Sequence, residues 1–131
     1  MHLFSSLFSF ILIAGLCLGC APTNPYGSKM DYEGNALYYT QSVHTEQAVQ
    51  LGDYLSQNGF FKPMTKHRMQ LDKRGDTILI RLVTAPRIVQ DKNFEGAAQS
   101  IRDELSRAVF GGQPVEFHYC TAEFETLKII Q

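Results

Sequence analysis

Residues 3–18, LFSSLFSFILIAGLCL, form one apolar run broken only by serines and a glycine. As a helix rising about 1.5 Å per residue it reaches roughly 24 Å, short of a hydrocarbon core of about 30 Å. That length suits the apolar core of an export signal better than a permanent span. The run gives way to APTNPYGS, where Pro, Gly, Asn and Ser cannot continue a helix and read as linker.

After the linker the period of the pattern changes several times. ALYYTQS, residues 36–42, is rich in strand-favouring aromatics and predicts a first strand. Ala48, Leu51, Gly52 and Leu55 then recur at i, i+3, i+4 and i+7, the buried stripe of a helix. Thr45 or His44 is its expected N-cap, with Gln47 completing a capping box to His44. Asn58 and Gly59 end it, with Phe60 as the apolar contact that follows a glycine cap. KHRMQLDKRGDTILIRLV alternates on both sides of Gly75 and predicts a hairpin, closed at Pro86. Phe94, Ala97, Ala98, Ile101, Leu105 and Ala108 share one face of a second helix over about 92–110, stopped by Gly111 and Gly112. PVEFHYC and TLKII predict two last strands.

The predicted order is β-α-β-β-α-β-β. Its first six elements match the ferredoxin-like split β-α-β arrangement, an α+β fold with an antiparallel sheet carrying both helices on one face. The seventh is a short extra C-terminal strand. Three segments follow from this reading: a signal at 1–19, a linker at 20–35 and a single domain at 36–131. At 131 residues there is room for one domain.

Charge narrows the function classes. Twelve Lys+Arg against thirteen Asp+Glu leave a net charge of −1 and no basic stripe, which argues against nucleic acid as a partner. The first charged side chains are Lys29 and Asp31, so the opening segment is uncharged apart from His2.

The junction LCLGC resembles the lipobox of bacterial lipoproteins, with Gly19 immediately before Cys20. The resemblance implies that the Cys20 thiol receives a diacylglyceryl group, that the chain is cut before it, and that the new amino terminus is acylated, with palmitate-type chains. Cys17 follows Leu16, too bulky a residue for the cut. Two or three acyl chains hold a protein firmly where one does not. The expected partner is therefore a membrane, reached through lipid on Cys20. The folded domain would face the periplasm or the exterior from the cell membrane or the outer membrane. Ala21, where an Asp would signal inner-membrane retention, favours the outer one. An uncleaved anchor and ordinary signal cleavage are the other readings.

The blocks LYYT, AVQLGDYLSQNGFF, MQLDKRGDT, ELSRAVFGGQPVEFHYC and TLKII resemble a bacterial domain of small exported and membrane proteins, over roughly residues 34–131. That resemblance implies no particular activity.

The candidate chemistry is sparse. With Cys20 thioether-linked, Cys120 is the one thiol left after the cut, and burial as a small hydrophobe is its expected fate. Alternation puts Glu116, His118 and Cys120 on one face of their strand, and all three are zinc-type donors. Same-face neighbours on a strand sit about 6.6 Å apart, so one ion with bonds near 2 Å cannot reach all three. Neither metal nor cofactor is expected, and this face reads as the polar, solvent-facing side of the strand. His44, His67 and Asp76 have no nucleophile in a G-x-S-x-G context, and the RGD at residues 74–76 reads as turn chemistry. Arg68, Gln70, Leu79, Arg81 and Val83 fall on the sheet face the helices leave open. Arg68, Gln70 and Arg81 are the candidate binding residues. The sequence thus predicts a lipid-anchored, non-catalytic module that binds another protein through the open sheet or its edge. A small periplasmic enzyme or thiol/metal protein centred on Cys120 and His118, or a periplasmic inhibitor, are the alternatives.

Overall fold

The computed structural model describes residues 24–131, so the signal read at 1–19 and Cys20 lie outside the described residues. Six strands and two helices follow in the order β1 Ser28–Tyr32, β2 Asn35–Tyr39, α1 Thr45–Gln57, β3 Arg68–Arg74, β4 Thr77–Val83, α2 Lys92–Ala108, β5 Val115–Cys120 and β6 Thr126–Ile129. A short 3-10 turn, Pro86–Gln90, leads into α2. No helix among the described residues is long and apolar enough to cross a membrane.

Local chemistry explains the element boundaries. Asp91 caps α2, its carboxylate accepting from the Asn93 and Phe94 amides, where a helix start leaves donors unpaired. α1 ends in a Schellman motif: the Phe60 amide bonds to the Leu55 carbonyl and the Gly59 amide to Ser56, with Gly59 at φ 76°. Its start departs from expectation. His44 is the N-cap but gives no side-chain cap, and the buried Gln47 Oε1 has no partner, so the capping box does not form. The β3–β4 hairpin turns through Gly75 at φ 59°, the first of two central residues, where type II′ geometry wants glycine.

The sheet is mixed, in spatial order β1-β2-β3-β4-β5-β6. Three antiparallel hairpins, β1–β2, β3–β4 and β5–β6, are joined by two parallel neighbours, β2–β3 across α1 and β4–β5 across α2. This corrects the antiparallel ferredoxin-like expectation, because neither crossover skips a strand. It also corrects the linker, since Ser28–Tyr32 is the edge strand β1 and not tether.

Both helices pack on one face. Ala48, Leu51 and Leu55 of α1 and Ala98 and Leu105 of α2 share one core with Leu37, Met69, Leu71, Ile78, Ile80, Leu82, Phe117 and Tyr119. Tyr54 of α1 hydrogen-bonds Glu104 of α2. The second parallel pair runs opposite to the first while strands are still added on the same side. Two crossovers that put their helices on one face must then differ in hand, so one is left-handed, against the strong general preference. The split arrangement avoids this because its second crossover steps back across the sheet.

Candidate binding face of the sheet

The face away from the helices carries Arg68, Gln70, Arg81, Glu116, His118 and Cys120, while His44, His67 and Asp76 lie off it at a helix cap, a connection and a turn. Register places Ala36 beside Arg68, Gln70 beside Arg81, and Arg81 beside His118. Arg68, Gln70 and Arg81 thus share one surface, as alternation predicted. Each is engaged within the chain, Gln70 buried and Arg68 and Arg81 half-buried.

At the centre lies an ion pair. Arg81 Nη1 donates to Asp72 Oδ2 and to Gln70 Oε1, each at 2.9 Å. Asp72 Oδ1 also accepts from the Thr40 hydroxyl at 2.6 Å and from the Lys73 amide at 2.8 Å. Desolvation alone would raise the Asp72 carboxyl, but the Thr40, Arg81 and Lys73 donors outweigh it and hold it below the usual range. Gln70 is buried, its Nε2 donating to the Tyr26 carbonyl at 3.0 Å. That bond ties the chain preceding β1 down onto the sheet.

An aromatic roof stands beside the pair. Tyr26, Tyr38 and Phe124 meet edge to face, with centroids 5.2–5.7 Å apart, the arrangement the ring quadrupole favours. The Arg68 guanidinium lies over all three rings at 5.4–5.8 Å and donates to the Ala122 carbonyl. Phe124 reaches its place from a turn at φ 60°, a costly conformation for a residue with a side chain. Beneath the roof Cys120 is fully buried, clustered with Ala36, Tyr38 and Phe124. Burial pushes its thiol up to about 11. A reactive thiol needs the reverse, a lowered value and access.

Toward β6 the face ends in a hydrogen-bonded chain. Arg74 Nη2 donates to Glu116 Oε2, Glu116 Oε1 meets His118 Nε2, and His118 Nδ1 meets the Thr126 hydroxyl, each at 2.8 Å. Burial would raise Glu116, but bonds from His118 and Arg74 hold it low. The strand face read as solvent-facing is therefore not so at His118 and Cys120, both buried by β6 and the roof. Glu116, His118 and Cys120 do not converge. His118 spends both ring nitrogens on Glu116 and Thr126, and Cys120 Sγ points to the His118 carbonyl. Among the described residues no group of three or more His, Cys, Asp or Glu could hold a metal ion.

Tyr26, Asp72, Arg74, Phe124 and Thr126 complete this face, and sequence reasoning missed them. Asp72 and Arg74 could have been found by extending the β3 alternation from Arg68 and Gln70. Tyr26 and Phe124 lie in irregular chain and give no periodic signal. Two clefts flank the fold, neither lined by Glu116, His118 or Thr126, and the first reaches Tyr26 and Thr40 at the margin of this face. One, of about 840 Å3, runs between residues 24–29 and the β2–α1 connection, with Tyr39, Gln41 and Thr45 on its wall. The other, of about 520 Å3, lies between the helices at Asp53, Tyr54 and Arg107.

No curated protein and no solved structure matches the chain. A family model does: AF_1994_N, described as a family N-terminal domain, matches residues 29–131, from the edge strand β1 to the last residue, and the chain belongs to that family.

Proposed function

We propose that the protein is a lipid-anchored component of the bacterial cell envelope whose domain acts by binding another protein and not by catalysis. The anchor reading rests on the LCLGC junction, with Gly19 before Cys20 at the end of an apolar run. One observation carries the non-catalytic reading. Each polar group gathered on the free sheet face is already spent on a partner within the chain: Arg81 on Asp72 and Gln70, Arg68 on Ala122, and His118 on Glu116 and Thr126. A catalytic base needs a free lone pair directed at a substrate. The same commitments leave Arg68, Gln70 and Arg81 with few free donors for a partner. Contact with a partner then falls to the rim of the fold.

The Thr126–His118–Glu116 chain favours a second, enzymatic reading, because hydroxyl, imidazole and carboxylate stand in the order of a nucleophile, its base and an orienting acid. Against it, neither cleft described above is lined by these residues. Incubation with an acylating active-site probe separates the two readings: stoichiometric labelling of Thr126 would establish the enzymatic one.

The anchor is tested by mass spectrometry of the mature amino terminus from the native host. The wild type should carry acyl mass on Cys20, and Cys20→Ser should lose that mass and leave the membrane fraction. A peptide beginning at Met1, with Cys20 bare, would end the envelope assignment.

A further inference from the structure

The 62–66 segment between α1 and β3 is built more firmly than a surface connection requires. Asn35, wholly buried, spends its side chain on it: Nδ2 donates to the Lys62 carbonyl at 2.8 Å, and Oδ1 accepts from the Thr65 hydroxyl at 2.7 Å and the His67 amide at 2.9 Å. The Thr65 amide closes a β-turn onto the Lys62 carbonyl at 3.1 Å, and the Thr65 hydroxyl also accepts from the Lys62 amide. Pro63 occupies the turn position where its fixed φ costs nothing. The segment is fastened on both sides, by buried Phe61 before it and by His67 stacked on Phe60 at 4.4 Å after it. At its tip stands Met64, 90% exposed.

A single exposed apolar residue is ordinary. An exposed methionine on a turn held from beneath by a buried asparagine is pre-organised, and pre-organisation is what lowers the entropy cost of docking. Lys62 lies along Gly59 at the end of α1, and Lys66 lies over Gly34 in the β1–β2 turn. Neither ammonium has an ion-pair partner among the described residues, although Glu33 stands in the same β1–β2 turn.

The position of the turn selects the class of partner. The chain enters at Asn24, beside Tyr39 and Thr40 at one end of β2, whereas Gly34 and Lys66 mark the other end. Three residues separate Asn24 from Cys20, and the four steps between them span at most about 14 Å. A lipid on Cys20 would join the bilayer at the entry end, and the 62–66 turn stands at the opposite end of β2.

We propose that the 62–66 turn is where the domain seats on its protein partner, Met64 entering an apolar socket whose rim offers carboxylates to Lys62 and Lys66. This rests on the protein-binding reading above and adds the surface and the chemistry that recognises it. The test places a photo-crosslinking amino acid, in the full chain in its native host, at position 64 and, separately, at position 129 on the exposed edge of β6. A partner adduct from position 64 is expected. Without the crosslinker, Met64→Asp should lower co-purification of that partner about tenfold, the scale of one apolar anchor, Met64→Leu should retain it, and all variants should melt with the wild type. Lys62→Glu with Lys66→Glu should weaken it further at low salt than at high salt. Capture from position 129 alone, with no effect of Met64→Asp, overturns this surface while leaving the binding reading intact. Capture from neither position overturns both. Lipid adducts from position 64 would make the turn a membrane contact and overturn the proposal.

Discussion

The rings of Tyr26 and Phe124 meet edge-on at 5.2 Å, although one precedes the first strand and the other follows the fifth. Their meeting seals Cys120 and ties the entering chain to the sheet. Tyr26→Ala removes both of its aromatic pairs, each contributing about 0.5–1.5 kcal/mol, so local opening over Cys120 should become about tenfold more frequent. Alkylation of the native protein at pH 8 should be slow in the wild type and correspondingly faster in the variant. Equal rates would mean that the roof does not protect the thiol.

Stability should also depend on pH through this thiol in a definite way. The folded thiol titrates near 11, above an unfolded cysteine, so the stability linked to it is complete at neutral pH and is lost as pH rises through that value. Cys120→Ala should therefore flatten the alkaline limb of a stability-against-pH curve while leaving its neutral part lower only by the lost packing. A limb of unchanged slope would assign alkaline unfolding to other groups.

Asp72 governs the acid side. Its folded carboxyl lies below the usual range, so its contribution is present above the unfolded value and disappears as pH falls through the folded one. Arg81→Met leaves Asp72, about a fifth exposed, without its cation and should cost about 1–3 kcal/mol at pH 7. At pH 3, with more of the carboxyl protonated, the difference from wild type should shrink. Urea unfolding at the two values measures it. A difference constant with pH would show that packing by the arginine stem, and not charge, is what matters.

How far these arrangements were legible follows from where their signals lie. The buried stripe of α1 was readable residue by residue, since Ala48, Leu51, Gly52 and Leu55 repeat within one element. The β3–β4 hairpin was readable for the same reason, with period two on both sides of one glycine. β1 was not. SKMDY is short, mostly exposed and charged, and its strand state comes from pairing with β2. The neighbours across the sheet were also hidden, because periodicity says which side of a strand is buried and nothing about which strand lies beside it. Alternation put Glu116, His118 and Cys120 on one face correctly, but their burial depends on Tyr26, Phe124 and β6, which only the tertiary fold brings there.

The asparagine beneath the 62–66 turn gives a sharper test of packing. Asn35→Ala would strip partners from the Tyr32 and Lys62 carbonyls, the Thr65 hydroxyl and the His67 amide together. Unsatisfied buried groups cost about 1–3 kcal/mol each, and water entering the vacated space would recover part, so a loss of about 3 kcal/mol is expected. The amide of His67 should lose hydrogen-exchange protection, while amides of β4 keep theirs relative to global unfolding. Retained protection at His67 would mean that the turn holds itself.

Gly52 links the strand that the pattern missed to the helix that it found. The Tyr32 ring of β1 occupies the place where a β-carbon on Gly52 would stand, and it packs tilted against Phe61 with centroids 5.6 Å apart. On helix propensity alone Gly52→Ala should stabilise by about 1 kcal/mol. The collision reverses that sign. Overpacking typically costs about 1–3 kcal/mol, so the variant should be less stable than wild type unless the ring swings clear, and swinging clear forfeits its contact with Phe61. Combining it with Tyr32→Ala removes the obstacle. Gly52→Ala should then stabilise the Tyr32→Ala background, changing sign between backgrounds in a double-mutant cycle read from urea midpoints. The same effect in both backgrounds would show that Tyr32 does not pack over Gly52, and would unseat β1 from its contact with α1.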